Sequence, residues 1–305
     1  MRLKDQAFET CVSILPREMR AALLSDLARW QGAEEIRLRA GRGLSVVQNG
    51  REVPVRLARQ PFPVSQADLR GVLELATHSS FQTAAQQLRQ GFYTLRGGHR
   101  IGVSGSFVGG EGTITALREL SSLAIRVARA YPGIADCMKD ELVQDGIFRS
   151  TLILSPPGMG KTTLLRELIR LLSDGFGLRV SLADERSEVA ALWRGEAQFD
   201  VGQCTDVLDG CSKARGMMML LRSMNPNVLA ADEITAPADL EAVSMAANCG
   251  VPVLATAHGS CLEELRQRPI YQPIWTQHLF QRVIFIRRER DGGRQYRMED
   301  ISCCA

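Results

Sequence analysis

Thr151 to Leu172 reads TLILSPPGMGKTTLLRELIRLL. Leu152, Ile153 and Leu154 form a short apolar run of the length of a buried strand. Ser155, Pro156, Pro157, Gly158, Met159 and Gly160 then break any regular element. After Lys161, Thr162 and Thr163, apolar residues recur at Leu164, Leu165, Leu168, Ile169 and Leu172, which is helical spacing. Strand, glycine loop, Gly-Lys-Thr and helix in this order is the layout of a phosphate-binding P-loop.

The chemistry requires these residue types. Phosphates take many donors at close range, and Gly158 and Gly160 let backbone N–H groups turn inward. The N-terminus of the following helix adds unpaired N–H groups and partial positive charge. Lys161 is expected to reach the β- and γ-phosphates, and the Thr162 hydroxyl to ligate Mg²⁺. Ser155 through Thr163 are therefore the expected nucleotide-binding residues, with ATP and Mg²⁺ as cofactors. One departure stands out: Ser155 occupies the place of the pattern's first glycine.

The rest of the chain sets the frame. Its 305 residues suggest about two domains. Hydrophobic content of 45% and charged content of 23% are those of a soluble globular protein. A net charge of +3 gives no electrostatic footprint for nucleic acid, which is not an expected partner. No apolar run approaches the roughly 20 residues that span a bilayer. The first residues, MRLKDQAFETCVSILPREM, lack the apolar core and cleavage site of a signal peptide. The eight cysteines form no CxxC pair and read as reduced cytosolic thiols. No function attaches to the terminal Cys303-Cys304.

Residues 1–135 read as an α+β domain. Helical spacing runs to about Trp30. Glu35–Arg39 alternates as a strand, Leu44–Val47 is a second, and Asn49-Gly50 marks a hairpin. Pro61-Phe62-Pro63 reads as a linker. Ser65 is the expected N-cap of a helix extending to Leu88. A glycine-rich strand-and-turn segment covers Gly91 to Gly105, and Leu123–Val127 is another strand. Residues 136–305 alternate strand and helix, with apolar runs at Val180–Ala183, Val228–Ala231, Val251–Ala255 and Val283–Ile286. Such runs imply a mainly parallel sheet covered by helices. The fold class is α/β, a P-loop domain preceded by a smaller α+β domain.

A P-loop needs an acid at the end of a neighbouring strand. Asp232 closes the run Val228–Ala231 at the carboxyl edge, where ligands of such sheets sit. It is the expected Mg²⁺ residue, and Glu233 is expected to polarise the attacking water. His258 ends the next run, positioned to sense or orient the terminal phosphate, with Thr256 a weaker candidate for the same duty. Asp184 and Glu185 end the second run as auxiliary acids, with Glu185 favoured. The competing reading of these acids is a set of solvated strand ends.

Asp232-Glu233-Ile234, the Ala-rich stretch after it and Thr256-Ala257-His258 resemble the secretion ATPases of type II and type IV secretion and pilus machines. Glu35–Arg42 is similar to a strand and turn of that family's N-domain. Arg222 also falls at a family arginine, although Asn225 and Asn227 replace the acids that follow it. SPPGMGKTTLLREL, ADERSE, DVLDGCSKARGMMMLLRSMNP and DEITAPADLEAV resemble the stage III sporulation protein AA family, over nearly the whole chain. Here Asp232-Glu233 stands where secretion ATPases commonly have Gly-Glu, which brings the site closer to the wider RecA-like group. The resemblance implies a cytoplasmic hexameric ring, peripheral at a membrane-embedded channel or secretion complex. That complex would join the mother cell to the forespore.

In a ring, a neighbour is expected to supply arginines to the γ-phosphate. The first domain offers Arg96, Arg100, Arg118 and Arg126, with Arg100 and Arg126 favoured. ATP is expected over GTP because no Asn-Lys-x-Asp sequence occurs. Two other functions compete: a RecA-like nucleic-acid translocase, and an ATP-gated assembly scaffold with little hydrolysis. The run Arg287-Arg288-Glu289-Arg290 is interrupted by an acid and reads as a solvated strand end.

Overall fold

Alternation over Glu35–Arg39 places Ile36 and Leu38 on one face of a strand, and both are fully buried. In the computed structural model the described residues are 5–57, 60–77, 88, 91–108, 116–289 and 293–301. The chain forms two compact units. The first is Met1–Arg129 with Trp193–Gln198, and the second is Ala130–Leu192 with Phe199–Ala305. The return of Trp193–Gln198 to the first unit carries no local sequence signal. There Gln198 accepts a hydrogen bond from Gly97 N at 2.8 Å.

The first unit contains helices α1 (Gln6–Val12), α2 (Arg17–Leu24) and α3 (Gln66–Thr77). Its longer strands are β1 (Glu35–Arg39), β2 (Ser45–Gln48), β3 (Arg51–Pro54), β4 (Phe92–Thr94), β5 (Arg100–Val108) and β6 (Ala116–Arg126). They form one antiparallel sheet in the order β3-β2-β1-β6-β5-β4. Asn49 and Gly50, at φ of 50° and 70°, make the tight turn between β2 and β3. Ser65 caps α3 as expected: its hydroxyl accepts from Asp68 N while the Asp68 carboxylate accepts from Ser65 N. Residues 78–87 of the expected helix lie outside the described ones.

The linker expectation at Pro61-Phe62-Pro63 is overturned. Phe62 is buried in the core, its N–H donates to Val55 O, and its carbonyl accepts from Leu44 N. The two prolines flank a buried aromatic that the composition alone presents as loop.

The second unit is built on a seven-stranded sheet. Its strands are β7 (Thr151–Ser155), β8 (Val180–Asp184), β9 (Thr205–Asp209), β10 (Val228–Ala231), β11 (Val253–His258), β12 (Arg282–Arg288) and β13 (Arg294–Asp300). The order is β9-β8-β10-β11-β7-β12-β13, parallel throughout except for β13. Every residue of β7, β8 and β10 is buried, the cause of their unbroken apolar runs. The edge strands β9 and β13 are half-buried or exposed and are mostly polar. Helices α4 (Lys161–Arg170), α5 (Lys213–Ser223) and α6 (Pro237–Asn248) contribute to its two hydrophobic clusters. Parallel strands connected through helices bring the carboxyl ends of β7, β8, β10 and β11 to one edge. Among the described residues no helix is long and apolar enough to cross a membrane.

Candidate functional site

Every residue that the sequence places at the nucleotide, except the two arginines, lies at this edge. Ser155 ends β7 in register with His258 at the end of β11. As the last paired strand residue it needs no glycine conformation, which accounts for the departure from the P-loop pattern. Its carbonyl faces the loop and accepts from Lys161 Nζ at 3.1 Å. Pro156 to Gly160 then turn the chain, with Gly158 and Gly160 at φ of 75° and 94°, values that favour glycine. Lys161, Thr162 and Thr163 open α4, so the first-turn N–H groups face the loop.

Lys161 is held inward. Its Nζ donates to Ser155 O and to Pro156 O, at 3.3 Å, and lies 2.6 Å from His258 Nδ1. Burial lowers its pKa, while the charges of Glu233 and Asp232 pull it back up. His258 Nε2 in turn lies 2.6 Å from Glu233 Oε1. The three side chains thus form one chain, Lys161–His258–Glu233, across three elements.

Asp232 follows β10. Its Oδ2 accepts from Thr162 Oγ1 at 2.7 Å and its Oδ1 from Thr256 Oγ1 at 2.7 Å. A carboxylate oxygen and a hydroxyl oxygen converge here from β10 and α4. These are hard oxygen donors, and the set fits a Mg²⁺ ion that also takes phosphate oxygens.

Thr256, the weaker candidate at the end of β11, faces the two acids. It is fully buried, donates to Asp232, and accepts from Glu233 N at 2.8 Å, bracing both acids. Glu233 sits at φ 32°, unusual for a non-glycine residue, and its N–H also donates to Asp232 Oδ1 at 2.9 Å.

Sequence reasoning missed Lys213, at the start of α5. It is buried, donates to the Glu233 carbonyl, and lies 3.6 Å from both Glu185 and Asp239. A lysine in a polar stretch gives no sign of burial; only the fold brings it beneath Glu233. Glu185 is exposed and approaches the site through Lys213. Asp184 is not an available acid, because its buried carboxylate accepts from four backbone N–H groups, those of Glu188, Val189, Ala190 and Ala191. A cavity of about 30 Å³ lies between Lys213, Glu185, Asp232 and Glu233, with room for one or two water molecules.

Arg100 and Arg126 lie in the first unit, directly opposite each other on β5 and β6. Arg100 stacks on the Phe92 ring at 3.7 Å. Arg96 occupies a 3₁₀ turn and is exposed, and the side chain of Arg118 lies outside the described residues. Arg222, at the end of α5, is exposed. Arg290, Cys303 and Cys304 also lie outside them.

Residues 5–301 match the family described as Sporulation stage III, protein AA. The chain is 37% identical over 286 residues to the Stage III sporulation protein AA of Bacillus subtilis, covering 92% of this chain and 91% of that one. Among solved structures, the Legionella pneumophila ATPase DotB aligns over 95% of this chain and 81% of its own, with a TM-score of 0.62 at 17% identity. The pilus retraction motor PilT, solved with ADP, aligns over 93% of this chain and 83% of its own, with a TM-score of 0.62 at 19% identity. At those identities the likeness is one of fold alone.

Proposed function

This chain belongs to the Sporulation stage III, protein AA family, and on that premise we propose that it is an oligomeric Mg·ATP-hydrolysing mechanoenzyme. One observation carries the reading. The Thr162 hydroxyl and the Asp232 carboxylate meet at 2.7 Å beside the Lys161–His258–Glu233 chain. Solvated strand ends have no reason to converge on a glycine loop in this way.

On this reading the backbone N–H groups of residues 158–163 cradle the phosphates, and Lys161 exchanges its own loop carbonyls for β- and γ-phosphate oxygens. Thr162 and Asp232 hold Mg²⁺, which neutralises phosphate charge when bound. His258 loses Lys161 as a partner and turns to the terminal phosphate. That motion releases Glu233 to orient the attacking water, with Thr256 and Lys213 fixing its backbone. Glu185 acts through Lys213.

In a ring, Arg100 and Arg126 of a neighbouring subunit stabilise the terminal phosphate. The two stand directly opposite each other on β5 and β6, so both side chains leave the same face of the sheet. The ring is proposed to be hexameric and cytoplasmic. It would work at a membrane-embedded complex between mother cell and forespore.

The test is ATP turnover with size analysis, with and without Mg·ATP. Glu233→Gln is expected to lower turnover by about a hundredfold or more while leaving nucleotide binding intact. Arg100→Ala is expected to assemble normally but turn over slowly. Equal turnover in wild type and Glu233→Gln would leave an ATP-gated scaffold instead of a hydrolase.

A further inference from the structure

The γ-phosphate end of the proposed site is built on one side of β7, from Asp232, Glu233 and His258 on β10 and β11. On the other side of β7 lie β12 and β13. β12 runs parallel to β7, pairing Phe285 with Leu154, so its carboxyl end reaches the loop edge. β13 returns antiparallel, with Arg294 opposite Arg288 at that edge. Period-two alternation puts Arg294, Tyr296 and Met298 on one face, and Tyr296 and Met298 pack against the cluster that includes Leu164, Leu165 and Leu168 of α4. Arg294 therefore emerges on the α4 side of the sheet, beside the loop.

Its guanidinium lies on that loop. The position a Cβ would take on Gly160 is 3.1 Å from Cζ and Nη1 of Arg294 and 3.5 Å from its Nε. Three atoms at nearly one distance mean that the planar group is laid across Gly160. Gly160 is the last residue before α4, the place where phosphate oxygens meet the helix N-terminus. Among the described residues no carboxylate forms an ion pair with Arg294; its polar neighbour is the Tyr296 phenol, on the same face.

We propose that Arg294 is a nucleotide-binding residue acting within its own subunit, on the α-phosphate and nucleoside end of the ligand. The inference rests on the nucleotide reading given above. A nucleotide laid along the loop with its terminal phosphate at His258 must extend its α-phosphate away from β11, toward β12 and β13. There an arginine waits with five donors and a flat face, suited to phosphate oxygens and to stacking alike. Because it acts away from the γ-phosphate, Arg294 serves ATP and ADP equally.

Calorimetric titration of the full chain with Mg·ADP and with a non-hydrolysable Mg·ATP analogue tests this. Arg294→Ala is expected to weaken both by about tenfold, leaving their ratio unchanged. Arg294→Lys keeps the charge and is expected to recover part of the loss. Arg297→Ala is the control. That side chain points to the opposite face of β13, pairs with Glu299 at 2.7 Å, and its removal changes net charge equally; affinities within about twofold of wild type are expected there. Affinity unchanged or tightened in Arg294→Ala, or lost for the ATP analogue alone, overturns the proposal. If Lys161→Ala abolishes binding while Arg294→Ala does not alter it, Arg294 is excluded and the nucleotide site stands. Wild-type protein that binds neither nucleotide overturns both.

Discussion

Two adjacent strands of the second unit end in the same two letters. β8 ends at Asp184 with Glu185 next, and β10 is followed by Asp232-Glu233, with Ala183 and Ala231 in register. The two pairs do opposite things. Asp184 is buried and takes four backbone N–H groups, donors fixed in space that cannot become acceptors. Asp232 takes one backbone N–H, that of Glu233, and two hydroxyls, from Thr162 and Thr256, which rotate and can themselves face a cation. An acid at a strand's carboxyl end is thus a site or a brace according to whether its partners are exchangeable.

The same substitution at both positions separates the two cases. Asp232→Asn keeps its amide oxygen toward the Glu233 N–H and the Thr256 hydroxyl and places its NH₂ against the Thr162 hydroxyl, which turns round and accepts, so we expect stability to change by under about 1 kcal/mol. ATP turnover should nevertheless fall by about a hundredfold or more, since an amide is a poor Mg²⁺ ligand. Asp184→Asn places NH₂ against backbone N–H groups with no alternative partner. We expect it to cost about 3 kcal/mol of stability in denaturant unfolding, with turnover per folded molecule within a few-fold of wild type. Similar stability losses in both variants would break the distinction between brace and site.

That distinction was only half legible in the sequence. The glycine loop, Asp232, Glu233 and His258 were readable because buried parallel strands write unbroken apolar runs, and the residue closing each run lands at the ligand edge. The partners of an acid are another matter. Nothing local tells that Val189, Ala190 and Ala191 fold their N–H groups onto Asp184, or that Lys213 reaches the Glu233 carbonyl from α5. β9 and β13 were missed because these edge strands carry only two apolar residues each, in TDVLD and RQYRMED, and with β13 went Arg294. Pro61-Phe62-Pro63 misled in the other direction, since tertiary burial of Phe62 outweighs two flanking prolines.

Charge sharpens the comparison further. Burial lowers the Lys161 pKa below its ordinary 10.5, and Glu233 and Asp232 oppose the shift. Phosphate binds the ammonium form. Once pH rises past the lowered pKa, binding must take up a proton, and affinity falls as pH increases, by up to about tenfold per unit. Wild-type Mg·ADP affinity is expected to start falling below pH 10.5. In Asp232→Asn the onset should move to lower pH, because a charge that supports the ammonium is gone. In Asp184→Asn it should not move, since that carboxylate is not among the charges acting on Lys161. A pH series of calorimetric titrations reads this directly, and an unmoved onset in Asp232→Asn would remove Asp232 from the electrostatics of the loop.

The smallest effect belongs to the second letter of each pair. Glu233 is held at its backbone by Asp232, Thr256 and Lys213, and its carboxylate meets His258. Glu185 has one ion-pair partner among the described residues, Lys213 at 3.6 Å, and its side chain is 41% exposed. A half-solvated pair of that length contributes little by itself. Lys213 also has Asp239 at 3.6 Å and the Glu233 carbonyl, so it stays in place without Glu185. Glu185→Gln should therefore slow ATP turnover by only about threefold and leave stability within about 0.5 kcal/mol. Lys213→Met should slow turnover well beyond that, because the Glu233 carbonyl loses its donor and Asp239 its buried cation. If Glu185→Gln proved as damaging as Glu233→Gln, Glu185 would have to contact the reacting groups itself, and the two Asp-Glu pairs would share one job instead of dividing two.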